Sequence, residues 1–351
     1  MRTVPTVDDL TVDWVRDNLG VAHAVSVAVE SVGAGQVANC YRLRVQCEDA
    51  TTRTFIAKTP STDETSRATA ALQRLYEREV AFYEHLAPLI STRTPACHFA
   101  RRDDEDNFLL VLEDLSATMN IDQFSGITLD VARAGLRELA GLHGPTHARD
   151  DLHDAEWLGA VAQSLRPLYA AVVPILFDQF LERYDQRIDH DTRQLVSTLR
   201  ERLDDYGDYA TPHPVVTHGD FRTDNLLVEL DGEHIAVVDW QTIGVGSPML
   251  DVAYFLSTSL GPDDCARHDE ELLAYYVERL ARFGVVYDWS LARREYARYT
   301  LQPIVMLVCA SVIVEQTDRG DLMFLEMIRR AVVAASRWHA LEEVGRRAVA
   351  Q

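Results

Sequence analysis

The rhythm of apolar and polar positions divides the 351 residues into a strand-rich first part and a longer helical second part. Residues 7–19 put Leu10, Trp14 and Val15 on one side and stop at Gly20, the pattern of an amphipathic helix. Residues 25–32 then alternate with period two. Residues 40–45 form a second strand after the turn Gly33-Ala34-Gly35-Gln36-Val37-Ala38-Asn39, and residues 54–58 a third, ending at Lys58. Residues 66–86 read as helix. Residues 96–101 and 108–112 read as a hairpin whose acidic tip, Asp103 to Asp106, sits in water. Farther on, Val131, Leu136, Leu139 and Leu142 mark a helix over 129–143, and two or three more helices fill 156–206. Two short β-branched runs, 215–217 and 237–238, predict strands of a hairpin. Helices follow over 252–260 and through 263–349.

Composition narrows the class. Hydrophobic residues at 47% and charged residues at 25% are ordinary for a globular chain, and the length allows two domains or one two-lobed unit. A formal charge of −21 argues against nucleic acid or anionic membrane as a main partner. It either steers a cationic substrate or only keeps the surface soluble. The cysteines (Cys40, Cys47, Cys97, Cys265 and Cys309) are odd in number and contain no Cys-x-x-Cys pair. Reduced thiols in the cytoplasm are expected, with neither a disulfide frame nor a zinc site. The first eight residues hold no signal-peptide core, and the apolar run 304–314 is too short to span a bilayer, so it predicts a buried helix. No membrane association and no obligate protein partner are expected.

Candidate chemistry clusters at 215–251. His218-Gly219-Asp220 follows the first β-branched run, Asn225 comes five residues after Asp220, and Asp239-Trp240-Gln241 follows the second run. Two carboxylates and an amide oxygen are hard donors suited to Mg²⁺ shared with phosphate oxygens. The spacing is that of the kinase catalytic loop, in which an Asp receives the substrate hydroxyl proton and an Asn and a later Asp hold metal. Upstream, a strand, a glycine-rich turn and a strand suit close approach of backbone N–H groups to phosphates, although Ala38 replaces the third glycine of G-x-G-x-x-G. Lys58 is the only lysine beside 33 arginines, and it ends a strand as the phosphate-contacting lysine of kinases does.

These motifs together resemble the aminoglycoside phosphotransferase/choline kinase superfamily of small-molecule kinases. With Gly246-Ser247-Pro248-Met249-Leu250-Asp251-Val252-Ala253-Tyr254, the chain looks most like its CHK, or ecdysteroid-kinase-like, branch. The resemblance implies an α+β, bilobal protein-kinase-like fold: a small antiparallel-sheet lobe over 1–115 and a larger, mostly helical lobe over 116–351. It implies ATP and Mg²⁺ as cofactors and a small-molecule hydroxyl as acceptor. Asp220 would be catalytic, and Asn225 and Asp239 would hold the metal. Gly33, Gly35, Lys58 and its partner Glu79 would meet the phosphates, and Glu113 to Leu115 would form the hinge against the adenine. His218 and Asp251 would support the catalytic loop. Gly219 stands where protein kinases carry Arg, Gln241 replaces the last Gly of their Asp-Phe-Gly motif, and no Ala-Pro-Glu segment is present; all three argue against a protein kinase. A non-catalytic nucleotide-binding pseudokinase is the alternative from another class. The acidic residues Glu315, Asp318 and Asp321 either face a cationic acceptor or form a solvated helix end.

Overall fold

The computed structural model describes residues 4–34, 37–116, 118–121, 123–207, 209–229, 234–314 and 316–346. The chain forms two compact units, one of Met1–Thr118 with Val237–Thr242, the other of Met119–Ala236 with Ile243–Gln351.

The first unit opens with a single 3₁₀ turn and the helix α1 (Val12–Asn18), in place of one continuous helix over 7–19. Thr11 explains the late start, because its hydroxyl caps the Trp14 amide at 3.3 Å. A five-stranded antiparallel sheet follows: β1 (Ala24–Ala34), β2 (Ala38–Cys47), β3 (Thr52–Pro60), β4 (Cys97–Arg102) and β5 (Phe108–Glu113), in the order β1-β2-β3-β5-β4. Val15 of α1 packs with the sheet residues Leu43, Val45, Phe55, Ala57, Leu109 and Val111 in one buried core. Each such aliphatic or aromatic side chain contributes roughly 1.5–3 kcal/mol. The predicted helix over 66–86 is broken into α2 (Glu64–Leu72) and α3 (Leu75–Ala81), which runs on into a π-turn over Phe82–Leu86. Arg74, at φ 52°, makes the break, and its left-handed backbone turns α3 so that Leu75, Tyr76, Glu79 and Val80 are buried.

The second unit is mostly helical. It contains β6 (Met119–Asn120), α4 (Leu129–Thr146), α5 (Asp150–His153), α6 (Val161–Arg183), α7 (His190–Glu201), α8 (Leu203–Gly207), β7 (Val215–Thr217), β8 (Leu226–Val228), β9 (Ile235–Val237), β10 (Gly244–Gly246), α9 (Pro248–Ser259), α10 (Pro262–Ala281), α11 (Trp289–Tyr299), α12 (Gln302–Ile313), α13 (Asp318–Arg337) and α14 (Ala340–Glu343). The 215–217 and 237–238 runs do not pair as a hairpin. Instead β7 pairs with β10, while β8 lies between β6 and β9. Strand type was readable from the β-branched residues; partner choice was not, since strands this short pair according to how the loops between them return. Helices α6, α7, α12 and α13 enclose a core that includes Phe177, Phe180, Leu199, Ile304, Val308 and Ile328. Helix α12 is buried on one face only, and Ile313 is 66% exposed. The stretch Trp289–Ile313 is long and apolar enough to cross a membrane by composition. Here it is folded as α11 and α12, with Glu295 and Arg298 buried inside the unit.

Candidate active site

In the first unit β3 delivers Lys58, α3 delivers Glu79, and the returning segment delivers Asp239. The Lys58 ammonium donates to Glu79 Oε1 at 2.7 Å and to Asp239 Oδ1 at 2.9 Å. Glu79 is almost fully buried and the Asp239 side chain is 29% exposed. Burial pulls the Lys58 pKa down, but the Asp239 and Glu79 carboxylates push it further up, so the ammonium stays charged. Asp239 has φ 67°, a left-handed conformation that costs a non-glycine residue roughly 1–3 kcal/mol. Two anchors hold it there. Trp240 stacks on Phe82 with centroids 3.9 Å apart, and its indole N–H donates to the Val237 carbonyl at 3.1 Å. Gln241 donates to the other Asp239 oxygen at 3.2 Å.

The other first-unit candidates are less concentrated. Gly33 lies in β1 opposite Cys40, beside a register shift; Gly35 is outside the described residues. The Glu113 carboxylate receives both Arg93 guanidinium nitrogens, at 2.9 and 3.0 Å, and its amide donates to the Ala96 carbonyl at 2.8 Å. The Leu115 carbonyl accepts from the Thr118 amide at 3.0 Å. Each of these groups at Glu113 and Leu115 is engaged within the first unit.

In the second unit the loop after β7 is built around one carboxylate. Asp251 accepts from the His218 amide at 2.7 Å through Oδ2 and from the Gly219 amide at 2.9 Å through Oδ1. Asp251 lies within the first turn of α9, whose N-cap is Ser247, so its carboxylate serves the loop and not its own helix. Gly219, at φ 81°, makes the turn that brings these amides to one side. Behind Asp251 stands His143, fully buried, with Nε2 3.0 Å from Asp251 Oδ2 and Nδ1 2.7 Å from the Tyr276 hydroxyl. The His218 ring accepts from the Asp220 amide at 3.3 Å.

Asp220 is presented at the end of this scaffold with its side chain 22% exposed. Asn225 Nδ2 donates to the Asp220 carbonyl at 2.8 Å and to its carboxylate at 3.1 Å, so the Asn225 amide oxygen points away as a neutral hard donor. Sequence reasoning missed two further neighbours. Arg222 Nε lies 3.2 Å from Asp220 Oδ2, and the buried Tyr254 hydroxyl also hydrogen-bonds Asp220. Their signal was positional: Arg222 is two residues beyond Asp220, and Tyr254 is one helical turn beyond Asp251. Of the acidic group 315–321, Glu315 is outside the described residues. Asp321 is engaged by Tyr184 at 2.7 Å and Arg187 at 2.8 Å.

The five-stranded sheet, the helical second unit and this loop define a protein-kinase-like fold. Three solved structures share it. An assigned aminoglycoside phosphotransferase from Ralstonia eutropha JMP134 aligns with TM-score 0.57 and 14% identity over 95% of this chain and 98% of its own. The GDP complex of the F108L variant of aminoglycoside 2'-phosphotransferase-IIIa aligns with TM-score 0.53 and 14% identity over 88% and 92%. A Plasmodium vivax ethanolamine kinase aligns with TM-score 0.54 and 12% identity over 91% and 84%. No protein of curated function matches the chain. Residues 32–284 match the Ecdysteroid kinase-like family, and the chain belongs to that family.

Proposed function

We propose that this protein is an ATP- and Mg²⁺-dependent phosphotransferase acting on a hydroxyl group of a small molecule. The observation that carries the proposal is the Asp251 carboxylate pinning two consecutive loop amides, His218 and Gly219, so that Asp220 stands fixed and partly exposed. Phosphoryl transfer requires mainly positioning and charge stabilisation, and a preorganised loop of this kind supplies the first. In this reading 1–115 bind the nucleotide and 116–351 carry catalysis and the acceptor. Asp220 orients the acceptor hydroxyl and takes its proton. Lys58, placed by Glu79, neutralises phosphate charge, and the glycine turn at Gly33 and Gly35 gives the phosphates backbone donors. The hinge at Glu113 to Leu115 meets the base.

The residues present fit the metal by donor chemistry. Asp239 offers carboxylate oxygens and Asn225 an amide oxygen turned away from its own donor bonds, the hard set Mg²⁺ prefers. When bound, the ion would add positive charge against the phosphates. Acceptors consistent with the family and the fold neighbours are an aminoglycoside, another amino-alcohol, a steroid-like alcohol or a sugar. A pseudokinase reading has less support, because Lys58, Asp220, Asn225 and Asp239 are all retained. The free cysteines Cys40, Cys47, Cys97, Cys265 and Cys309 suit a reducing cytoplasm.

The test is ATP consumption and phosphate transfer to a panel of hydroxylated metabolites and antibiotics, with and without Mg²⁺. Transfer that needs Mg²⁺ and is lost in Asp220→Asn is expected. Nucleotide binding without transfer to any panel member, by a protein unaffected by Asp220→Asn, would favour the pseudokinase.

A further inference from the structure

The loop that presents Asp220 contains a cation with unspent hydrogen-bonding capacity. Arg222 follows Phe221, a buried ring set edge-on to Phe255 with centroids 5.2 Å apart. The Arg222 backbone is extended, at φ −135° and ψ 168°. Successive side chains in extended chain point to opposite sides, so burial of Phe221 leaves Arg222 on the open side of the loop with Asp220. There Nε–H reaches Asp220 Oδ2 at 3.2 Å and Nη1 binds Asp224 Oδ2. A guanidinium carries five N–H donors in a rigid plane, and these contacts use two, about three remaining without an acceptor among the described residues. The Arg222 side chain is 24% exposed.

A clamp for the loop would account for the two carboxylate contacts but not for the open donors beside the proton acceptor. On the reading of Asp220 given above, the acceptor oxygen sits roughly 2.6–3.2 Å from its carboxylate. The phosphorus it attacks lies roughly 3–3.5 Å beyond. Arg222 touches the same carboxylate, which puts its fork within reach of the phosphoryl oxygens. A planar fork of N–H donors matches phosphate oxygens bidentately, as an ammonium does not.

We propose that Arg222 is a second catalytic residue, whose free N–H groups bind the oxygens of the phosphoryl group as it passes to the acceptor. In that step the acceptor oxygen forms a bond to the γ-phosphorus and the bond from that phosphorus to the β–γ bridging oxygen breaks. The bridging oxygen leaves with the electron pair as part of ADP, and the acceptor proton passes to Asp220. Asp224 and Tyr254 are positioning residues: Asp224 holds one edge of the Arg222 fork, and Tyr254 holds the Asp220 carboxylate against which the other edge rests.

The assignment rests on the phosphotransferase reading, and one set of measurements separates the two. Single-turnover transfer from ATP, ADP affinity, affinity for ADP with aluminium fluoride, and melting temperature are compared for the parent, Arg222→Gln, Arg222→Lys and Arg222→Ala. Loss of one preorganised donor set is expected to slow transfer by roughly 10²–10³-fold in Arg222→Gln. The ADP–aluminium fluoride complex should weaken in parallel, while ADP affinity and melting temperature hold. Arg222→Lys should recover only part of the rate, and added guanidinium should raise the rate of Arg222→Ala. Arg222→Gln working at the parent rate overturns the assignment alone. So does a slow variant that also loses ADP affinity and thermal stability and gains nothing from guanidinium, since that is a clamp. A parent that neither binds ADP nor transfers phosphate overturns the phosphotransferase reading and this assignment with it.

Discussion

The Lys58 cluster in the first unit and the Asp220 loop in the second hold their polar groups by different means. Around Lys58, charge is set against charge: one ammonium between two carboxylates, one of them buried. Around Asp220, the decisive carboxylate is Asp251, and it is satisfied by backbone N–H groups and a histidine. The contrast has a consequence. A side-chain pair can be removed from both ends, and replacing a buried ion pair by apolar groups is often nearly neutral. A backbone amide cannot be mutated away, so loss of Asp251 strands donors that no second substitution can remove. The first arrangement suits a group that must release its partner to meet phosphate; the second suits a loop that must not move.

Four measurements would break or sharpen that contrast. The largest effect is expected for Asp251→Ala, which leaves the buried His218 amide, the partly buried Gly219 amide and His143 without their acceptor. A loss of roughly 3–5 kcal/mol in denaturant unfolding is expected, with no suppressor among partner side chains. A stability near that of the parent would show that the loop holds itself. Asp220→Asn comes next and should act on chemistry alone. Asn keeps the shape, so stability should stay within about 1 kcal/mol of the parent. Removal of the proton acceptor should slow single-turnover transfer by roughly 10²–10⁴-fold. Parallel losses of folding and rate would erase the distinction between scaffold and working group.

Lys58→Met ranks third. It uncovers the buried Glu79, and a loss of roughly 2–3 kcal/mol is expected, below the usual buried-pair value because Asp239 is 29% exposed and water screens it. The informative variant is the double one, Lys58→Met with Glu79→Gln. It should regain most of that stability while nucleotide affinity stays low. Failure to regain it would mean that the cluster, like the loop, is fixed by something other than mutual charge.

The smallest effect lies away from both clusters. His147 Nε2 faces His213 Nδ1 at 3.3 Å, and burial, then the charges of His213 and His153, hold its pKa below the usual 6.5. The unfolded chain then binds the proton more readily than the folded one. The stability concerned is complete above pH 6.5 and declines as the pH falls through that value toward the lowered folded pKa. His147→Gln should flatten the fall of melting temperature between pH 6.5 and about 5. An unchanged slope would assign the acid sensitivity to other groups.

Much of the fold was legible in the sequence because periodicity records which face each element buries. The strands β1 to β5 and the helix α4 were found this way, and the ordered set Lys58, Asp220, Asn225, Asp239 and Asp251 marked the family. Local sequence could not fix where long helices break. Arg74 takes a left-handed conformation inside a run that reads as one helix, a choice made by the packing of Leu75, Tyr76 and Val80. Nor could it fix which short strands pair, and β7 joins β10 although the paired residues Thr217 and Gly244 stand 27 positions apart in the chain.

The site divides along the same line. Residue type and spacing identified Lys58 at its strand end and Asp220 with Asn225 in a single loop, while the family resemblance supplied Glu79 as the partner of Lys58. Arg222 stood in plain view beside Asp220, but its role as a neighbour depends on Phe221 turning inward, and that is a packing decision. Tyr254, His143 and Tyr276 act on the loop from α9, α4 and α10, and none carries a local signal of doing so. Sequence determined which groups can ionise, donate or accept, since chemistry belongs to the residue. Only the tertiary structure decided which of them meet, because hydrogen bonds and ion pairs require approach within about 3 Å, and contact at that range between distant segments is set by the core that encloses them.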